Sequence, residues 1–242
     1  MTLKRIIIYI FNLILLGFVM FLYGFSNNRN AKKSIHKIEI KFESKEPNFL
    51  TKSMVNKLLI QNNEKVQKQA KSLIDLYKLE QKVLENPYVE KASIFISIDG
   101  ILNSFIKQRK PIARILTGNS SYYIDSQASK VPLSENYSAR VPLITKVNND
   151  ISLTEIIMLL KKISNDDFLN EEITGIHFKN NEEYMMTVRS GNYRVDFGKL
   201  EQIDNKIKKL KAFYSKVFKD STIHNYKTIN IKYRNQVVGV KE

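Results

Sequence analysis

The sequence predicts an α+β protein on a membrane anchor: one N-terminal transmembrane helix, a domain of strand–helix–helix–strand–strand order, then a β-rich domain with flanking helices. Three observations carry this expectation. Residues 6–25 read IIIYIFNLILLGFVMFLYGF, without a charge, and about 20 apolar residues cross a ~30 Å hydrocarbon layer as a helix. The segments His36–Phe42 and Thr228–Arg234 alternate apolar and polar residues, the period-two pattern of a half-buried strand. Between them, Ile203, Ile207, Leu210, Tyr214 and Val217 or Phe218 fall on one face of a helix spanning Leu200–Phe218.

The apolar span is too long for the core of a cleaved signal peptide, and Phe25-Ser26-Asn27-Asn28 is not a small-residue cleavage site. It lacks an amphipathic face, which argues against a buried core helix. Tyr9 and Tyr23 lie near its two ends, where amphipathic rings favour the membrane interface. Lys4 and Arg5 precede it, while Arg29, Lys32, Lys33 and Lys37 follow it, so flanking charge leaves orientation open. Residues 1–5 read as a short tail, 6–25 as the span and 26–34 as a linker.

The absence of cysteine excludes disulfides and thiolate chemistry. A net charge of +15 raises two readings: an anionic polymer or membrane binder, or a Lys-, Asn- and Ile-rich usage spread over all faces. The lysines are dispersed and no aromatics interleave with them as a stacking platform requires. The second reading is favoured, and no nucleic-acid partner is expected.

Along the chain, Ile38, Ile40 and Phe42 form the inward face of a first strand, which Pro47-Asn48 breaks. A helix follows over Thr51–Gln61 with Thr51 as N-cap, then a polar stretch over Asn62–Lys71. A second helix over Leu73–Glu85 stops at Asn86-Pro87, because proline disfavours helical geometry in the residue before it. Val89–Ile98 and Ile101–Gln108 read as two strands joined at Asp99-Gly100, a two-residue hairpin turn. Ile38, Ile40, Leu58, Leu76, Val83, Ile94 and Ile96 are expected to share one core.

Pro111 opens the second unit. Strands are expected at Ile112–Leu116, Ser121–Asp125, Ile173–Lys179, Tyr184–Arg189 and Tyr193–Phe197, with shorter pieces around Val131-Pro132-Leu133 and Arg140–Ile144. A helix spans Leu153–Ser164. In the long helix after Leu200, Lys206, Lys208, Lys209, Lys211, Lys216 and Lys219 are placed on the outside. Thr228–Arg234 is read as the last strand, with Val237–Val240 continuing it.

Catalytic signals are weak. His36, His177 and His224 are scattered and lack ligand-like spacing. Asp196-Phe197-Gly198 spells a kinase magnesium motif, but the glycine-rich loop, strand lysine and catalytic loop it needs are missing. Asp166-Asp167 and Glu171-Glu172 most simply cap or solvate a polar loop. No P-loop, dinucleotide fingerprint or nucleophile elbow occurs. The reading is of a protein without catalysis, metal or cofactor.

Three motifs point to a family. Asn86-Pro87-Tyr88-Val89-Glu90-Lys91-Ala92 resembles the pattern N-P-[WY]-V-x-x-A that leads from a second helix into a hairpin. Lys107-Gln108-Arg109-Lys110-Pro111-Ile112-Ala113 resembles E-R-x-P-x-A, with Gln108 where glutamate is frequent. Tyr122-Tyr123-Ile124-Asp125, followed by Val131-Pro132-Leu133 and Val141-Pro142-Leu143-Ile144, is similar to a strand, a D-x-x-G turn and a P-x-[IL] segment, with Ala128 in place of glycine. In this order, after a single anchor, the motifs resemble the FtsQ/DivIB family of bacterial cell-division proteins.

The resemblance implies a POTRA-like domain over residues 35–110 and an FtsQ-type β domain over 111–242. It also implies a non-enzymatic scaffold of the division complex, linking divisome proteins for septal cell-wall synthesis. The implied partners are the single-pass coiled-coil proteins FtsB (DivIC in Gram-positive bacteria) and FtsL. The implied location is the cytoplasmic membrane, N-terminus inside and bulk outside, enriched at the septum. Ile229-Asn230-Ile231-Lys232-Tyr233 is similar to the family's last, partner-binding strand, and Arg234 adjoins it. The alternative is a POTRA-bearing envelope chaperone or export receptor.

Overall fold

The computed structural model describes residues 3–44, 49–61, 64–65, 69–118, 120–145, 153–179 and 182–241. Pro47-Asn48, the expected break after the first strand, and Asn180-Asn181 lie outside the described residues.

Helix α1 spans Leu3–Ala31. From Ile6 onward its apolar side chains are open on every side, Leu13 at 71% and Tyr23 at 74% exposure. A soluble core helix would bury them, so this helix is built to be solvated by lipid. It is long and apolar enough to cross a membrane over Ile6–Ala31. The helix continues through the stretch expected to be a linker, because residues 26–31 contain neither proline nor glycine.

The chain divides into two compact units, Met1–Gln108 and Arg109–Glu242. In the first, β1 (Lys37–Phe42), α2 (Lys52–Leu58), β2 (Ile60–Gln61), β3 (Glu64–Lys65), α3 (Leu76–Leu84), β4 (Val89–Ile96) and β5 (Ile101–Gln108) follow α1. The β–α–α–β–β order is present, with the small β2–β3 hairpin inserted where helix was expected to continue to Gln61. The three-stranded sheet runs β1-β5-β4, β1 parallel to β5 and β4 antiparallel to it. Thr51 caps α2 by accepting from the Met54 amide at 3.2 Å, as its hydroxyl predicts. Asp75 caps α3 through the Lys78 amide at 3.0 Å, so that helix begins at Leu76 and not Leu73.

Ile40, Val83 and Ile94 are buried in one cluster, and Ile38, Leu58, Leu76 and Ile96 pack against it. The hairpin between β4 and β5 is one residue longer than expected. Ser97 and Ile101 still pair, and the Gly100 amide donates to the Ser97 carbonyl at 3.1 Å. Only Gly100 is left-handed, at φ +91°, which is the turn-plus-glycine geometry of a three-residue loop. Gln108 closes the unit: its amide accepts from the Leu50 N–H at 2.9 Å and donates to the Leu50 carbonyl at 3.2 Å. A glutamate there could accept but not donate.

The second unit contains β6 (Pro111–Thr117), β7 (Ser120–Asp125), β8 (Lys130–Val131), β9 (Leu143–Thr145), α4 (Leu153–Ser164), α5 (Asp167–Glu172), β10 (Ile173–Phe178), β11 (Tyr184–Val188), β12 (Arg194–Gly198), α6 (Ile203–Lys219), β13 (Tyr226–Asn230) and β14 (Val238–Lys241). Among the described residues, one mixed sheet runs β14-β13-β12-β11-β10-β9-β6-β7-β8. Ile157, Leu160, Leu210, Tyr214 and Val217 of the helices join Ile115, Ile176, Val195, Phe197 and Ile229 of the strands in one core.

Asp125 builds the turn after β7. Its carboxylate accepts from the amides of Gln127 and Ser129 at 2.9 and 2.8 Å and pairs with Arg109 at 2.7 Å. Ala128 then sits at φ +64°, the left-handed position where glycine is favoured and a Cβ is strained.

Two expectations for charged residues change. Lys206 is not on the outside of α6: it is buried, donates to the Lys199 carbonyl at 2.6 Å and lies 4.9 Å from the Phe197 ring centre. Burial holds its ammonium below the ordinary lysine pKa, and nearby Lys209 pushes the same way against the opposing pull of Glu201. Glu172 is not a solvated loop residue. It ends α5 buried, accepting from Ser190 Oγ at 2.5 Å and Tyr193 Oη at 2.9 Å.

Candidate partner-binding edge

The expected last strand, Thr228–Arg234, is shorter than its alternation suggests and is not an edge. β13 stops at Asn230 and lies between β12, parallel, and β14, antiparallel. Residues 231–237 turn the chain, and Val238–Lys241 returns beside β13 instead of continuing it.

The six residues of the expected site separate accordingly. Ile229 and Ile231 are fully buried. Asn230 faces the turn, its side-chain oxygen accepting from the Lys232 amide at 3.1 Å. Lys232 places its ammonium 3.8 Å from Asp196, which also pairs with Lys179 at 3.3 Å. Tyr233 and Arg234 are exposed.

The turn is fixed from below by α6. Lys209 donates to the carbonyls of Ile231 at 3.2 Å, Arg234 at 3.3 Å and Tyr233. One ammonium has three donors, so this lysine satisfies three carbonyls that the turn takes out of the ladder. Gly198 makes the approach possible: it sits at φ +71°, and an added Cβ would lie 2.7 Å from the Lys232 Cβ. The Asp196-Phe197-Gly198 motif is therefore the end of β12 against the terminal turn.

The register identifies which groups of β14 are free. The Ile231 amide donates to the Asp196 carbonyl at 3.0 Å, so residues 229 and 231 direct their polar groups to β12. Thr228 and Asn230 then direct theirs to β14, since successive residues alternate. Their partners, Val240 and Val238, point back at β13. The N–H and C=O of Gly239 and the N–H of Lys241 point away from the sheet.

Val238 and Val240 are 37% and 49% exposed, on the face opposite the one that Ile229 buries. Gly239 is required by packing: an added Cβ would meet the Tyr226 ring at 2.4 Å. That ring stacks edge-on against Phe213 of α6, centroids 5.4 Å apart, and so pins the edge to the helix.

Other sheet edges are better protected. At the far end of the same sheet, β8 has only two residues, Lys130 and buried Val131. In the first unit, Glu80 of α3 accepts from the Ile94 amide of β4 at 3.0 Å. β1 carries Lys37, Glu39 and Lys41, with Glu39 paired to both lysines. Short length, charge and covering side chains are the usual ways to stop unwanted strand pairing. Among the described residues, β14 has neither the covering contacts that shield β4 nor the charge pairs that line β1.

The family model described as FtsQ/DivIB, C-terminal related, matches residues 110–240. That is more than half of the chain and reaches every strand of the larger sheet, stopping one residue before the end of β14. The chain belongs to the FtsQ/DivIB family. Among curated proteins none matches. FtsQ/DivIB proteins are non-catalytic cell-division proteins that act within a complex of division partners. The apolar α1 fits a single-pass membrane protein of this family, and the family fits the septum.

Proposed function

We propose that this FtsQ/DivIB protein is a non-enzymatic scaffold that captures an extended segment of a coiled-coil division protein, of the FtsB/DivIC or FtsL type, as an added strand on β14. The observation that carries the reading is the unprotected outer edge of β14 within the family region. Outward polar groups of Gly239 and Lys241 supply a main-chain ladder, and exposed Val238 and Val240 supply side-chain contacts.

The residues expected at the interface take distinct parts in it. Ile229 and Ile231 hold the hairpin in the core. Asn230 and Lys232 shape its turn. Tyr233 and Arg234, exposed at the turn, flank the incoming strand. Residues 35–110 form a POTRA-like domain and residues 111–242 the β domain. The N-terminus is cytoplasmic, and the parts of the chain after α1 lie outside the cytoplasmic membrane, concentrated at the septum.

Depletion in the native cell is expected to give filaments that elongate without completing septa. A reporter fused after Glu242 in the same strain should be active only outside the cytoplasm. Cells of normal length after depletion, or reporter activity confined to the cytoplasm, would contradict the proposal.

A further inference from the structure

The first unit carries a second feature that strand addition does not use. Ile98, at the tip of the β4–β5 hairpin, is 82% exposed, more than any other large apolar side chain among the described residues. The tip is tied to the end of α1. Lys71 donates to the Ser97 carbonyl at 2.7 Å, the Ile98 carbonyl at 3.0 Å and the Asn30 side chain at 3.3 Å. Lys33 donates to the Ile98 carbonyl at 3.4 Å. The Lys71 amide also donates to the Lys33 carbonyl at 2.9 Å. Between helix and tip lies a cleft of about 490 Å³, lined by Tyr23, Ser26, Arg29, Asn30, Lys33 and Ile98.

The depth of this cleft follows from the sequence. Phe25 ends the apolar span, and each helical residue adds 1.5 Å, so Arg29 lies about 6 Å beyond it. The headgroup layer on each side of the hydrocarbon is roughly 5–8 Å thick. Tyr23 is therefore at the hydrocarbon boundary and Arg29 within the headgroups. Ile98 reaches the same level from the hairpin.

Charge at this level is cationic. Arg29, Lys32, Lys33 and Lys71 outnumber the one carboxylate of the hairpin tip, Asp99, which accepts from the Ser97 hydroxyl. Basic residues at this depth attract anionic headgroups. An apolar side chain beside them gains from contact with the upper acyl chain.

We infer that the cleft between the end of α1 and the β4–β5 tip binds the headgroup of an anionic phospholipid. Arg29 and Lys33 meet its phosphate, and Tyr23 and Ile98 meet the first acyl carbons. The inference rests on α1 as a membrane span, and not on strand addition at β14. Its consequence is a fixed height and rotation of the first unit on the membrane, set by lipid chemistry as well as by the covalent anchor.

The chain has no tryptophan, so Ile98→Trp gives a single fluorescent reporter at an already exposed position. The full chain with this substitution would be placed in phosphatidylcholine vesicles with or without phosphatidylglycerol. Lipids brominated high on the acyl chain serve as the quencher. Quenching by brominated phosphatidylglycerol is expected to be about twofold or more that by brominated phosphatidylcholine. Adding Arg29→Gln and Lys33→Gln should remove the difference, and millimolar soluble glycerol phosphate should leave it unchanged. Equal quenching by the two lipids, or none by either, would overturn the inference. So would reversal by soluble glycerol phosphate, which would make the cleft a site for free anions.

Discussion

Lys241→Pro is expected to weaken capture of the division partner roughly tenfold or more, a change of ~1.4 kcal/mol or above, while leaving the melting temperature of the chain nearly unchanged. The reason is directional. The Lys241 amide points away from β13, so proline there removes a donor that only an added strand would use. Its ring also obstructs the outer edge. Asn230→Pro does something different. Asn230 pairs with Val238 inside the sheet, so proline there removes a ladder bond and loosens the terminal hairpin. Binding and melting temperature should then fall together. A comparison of the two variants separates edge from interior, which a single proline cannot do. If Lys241→Pro stays folded and binds as the parent does, the partner sits elsewhere.

Ile229→Ala should destabilise the chain by about 2–5 kcal/mol, because it empties a fully buried site between strands. The melting temperature would drop by on the order of 10 °C for a unit of this size. Leu102→Ala, equally buried in the first unit, should cost a similar amount. Tyr233→Ala, at 45% exposure, should cost no more than about 0.5 kcal/mol and yet reduce binding if it flanks the added strand. Thermal melts and binding measurements on the same preparations check all three. A destabilised Tyr233→Ala variant or a thermally neutral Ile229→Ala variant would show that the hairpin packs differently.

Much of this architecture was legible in residue patterns because local and tertiary signals agree there. α4 spans the same Leu153–Ser164 as its apolar spacing predicts, and Thr51 caps α2. The apolar span and the strand over 37–42 likewise follow from composition and period. The differences arise where a local pattern is outweighed by something distant. Thr228–Arg234 alternates throughout, but Lys209, more than twenty residues earlier, draws the carbonyls of Ile231, Tyr233 and Arg234 out of the ladder. The polar run Lys232–Gln236 followed by Gly239 was the available sign of a turn and a returning strand.

Lys206 lies on the expected helix yet turns inward to the Lys199 carbonyl, because its long stem can cover Phe197 while its head finds an acceptor. Helix periodicity alone does not reveal such a partner. The hairpin at 97–101 needed one more residue than Asp99-Gly100 suggests, since Ser97 and Ile101 complete the pairing before the turn begins. The open edge itself depends on sheet order, which joins β13 to β12 across the whole of α6. Nothing in a linear pattern specifies that adjacency.

The most direct measurement of the central claim is backbone amide hydrogen exchange in β14, on the full chain with and without the proposed coiled-coil partner. In the free protein Val238 and Val240, bonded to β13, should already be slow, and Gly239 and Lys241 fast. Strand addition predicts that partner binding slows Gly239 and Lys241 selectively. Unchanged exchange at those two amides in the bound complex would contradict it.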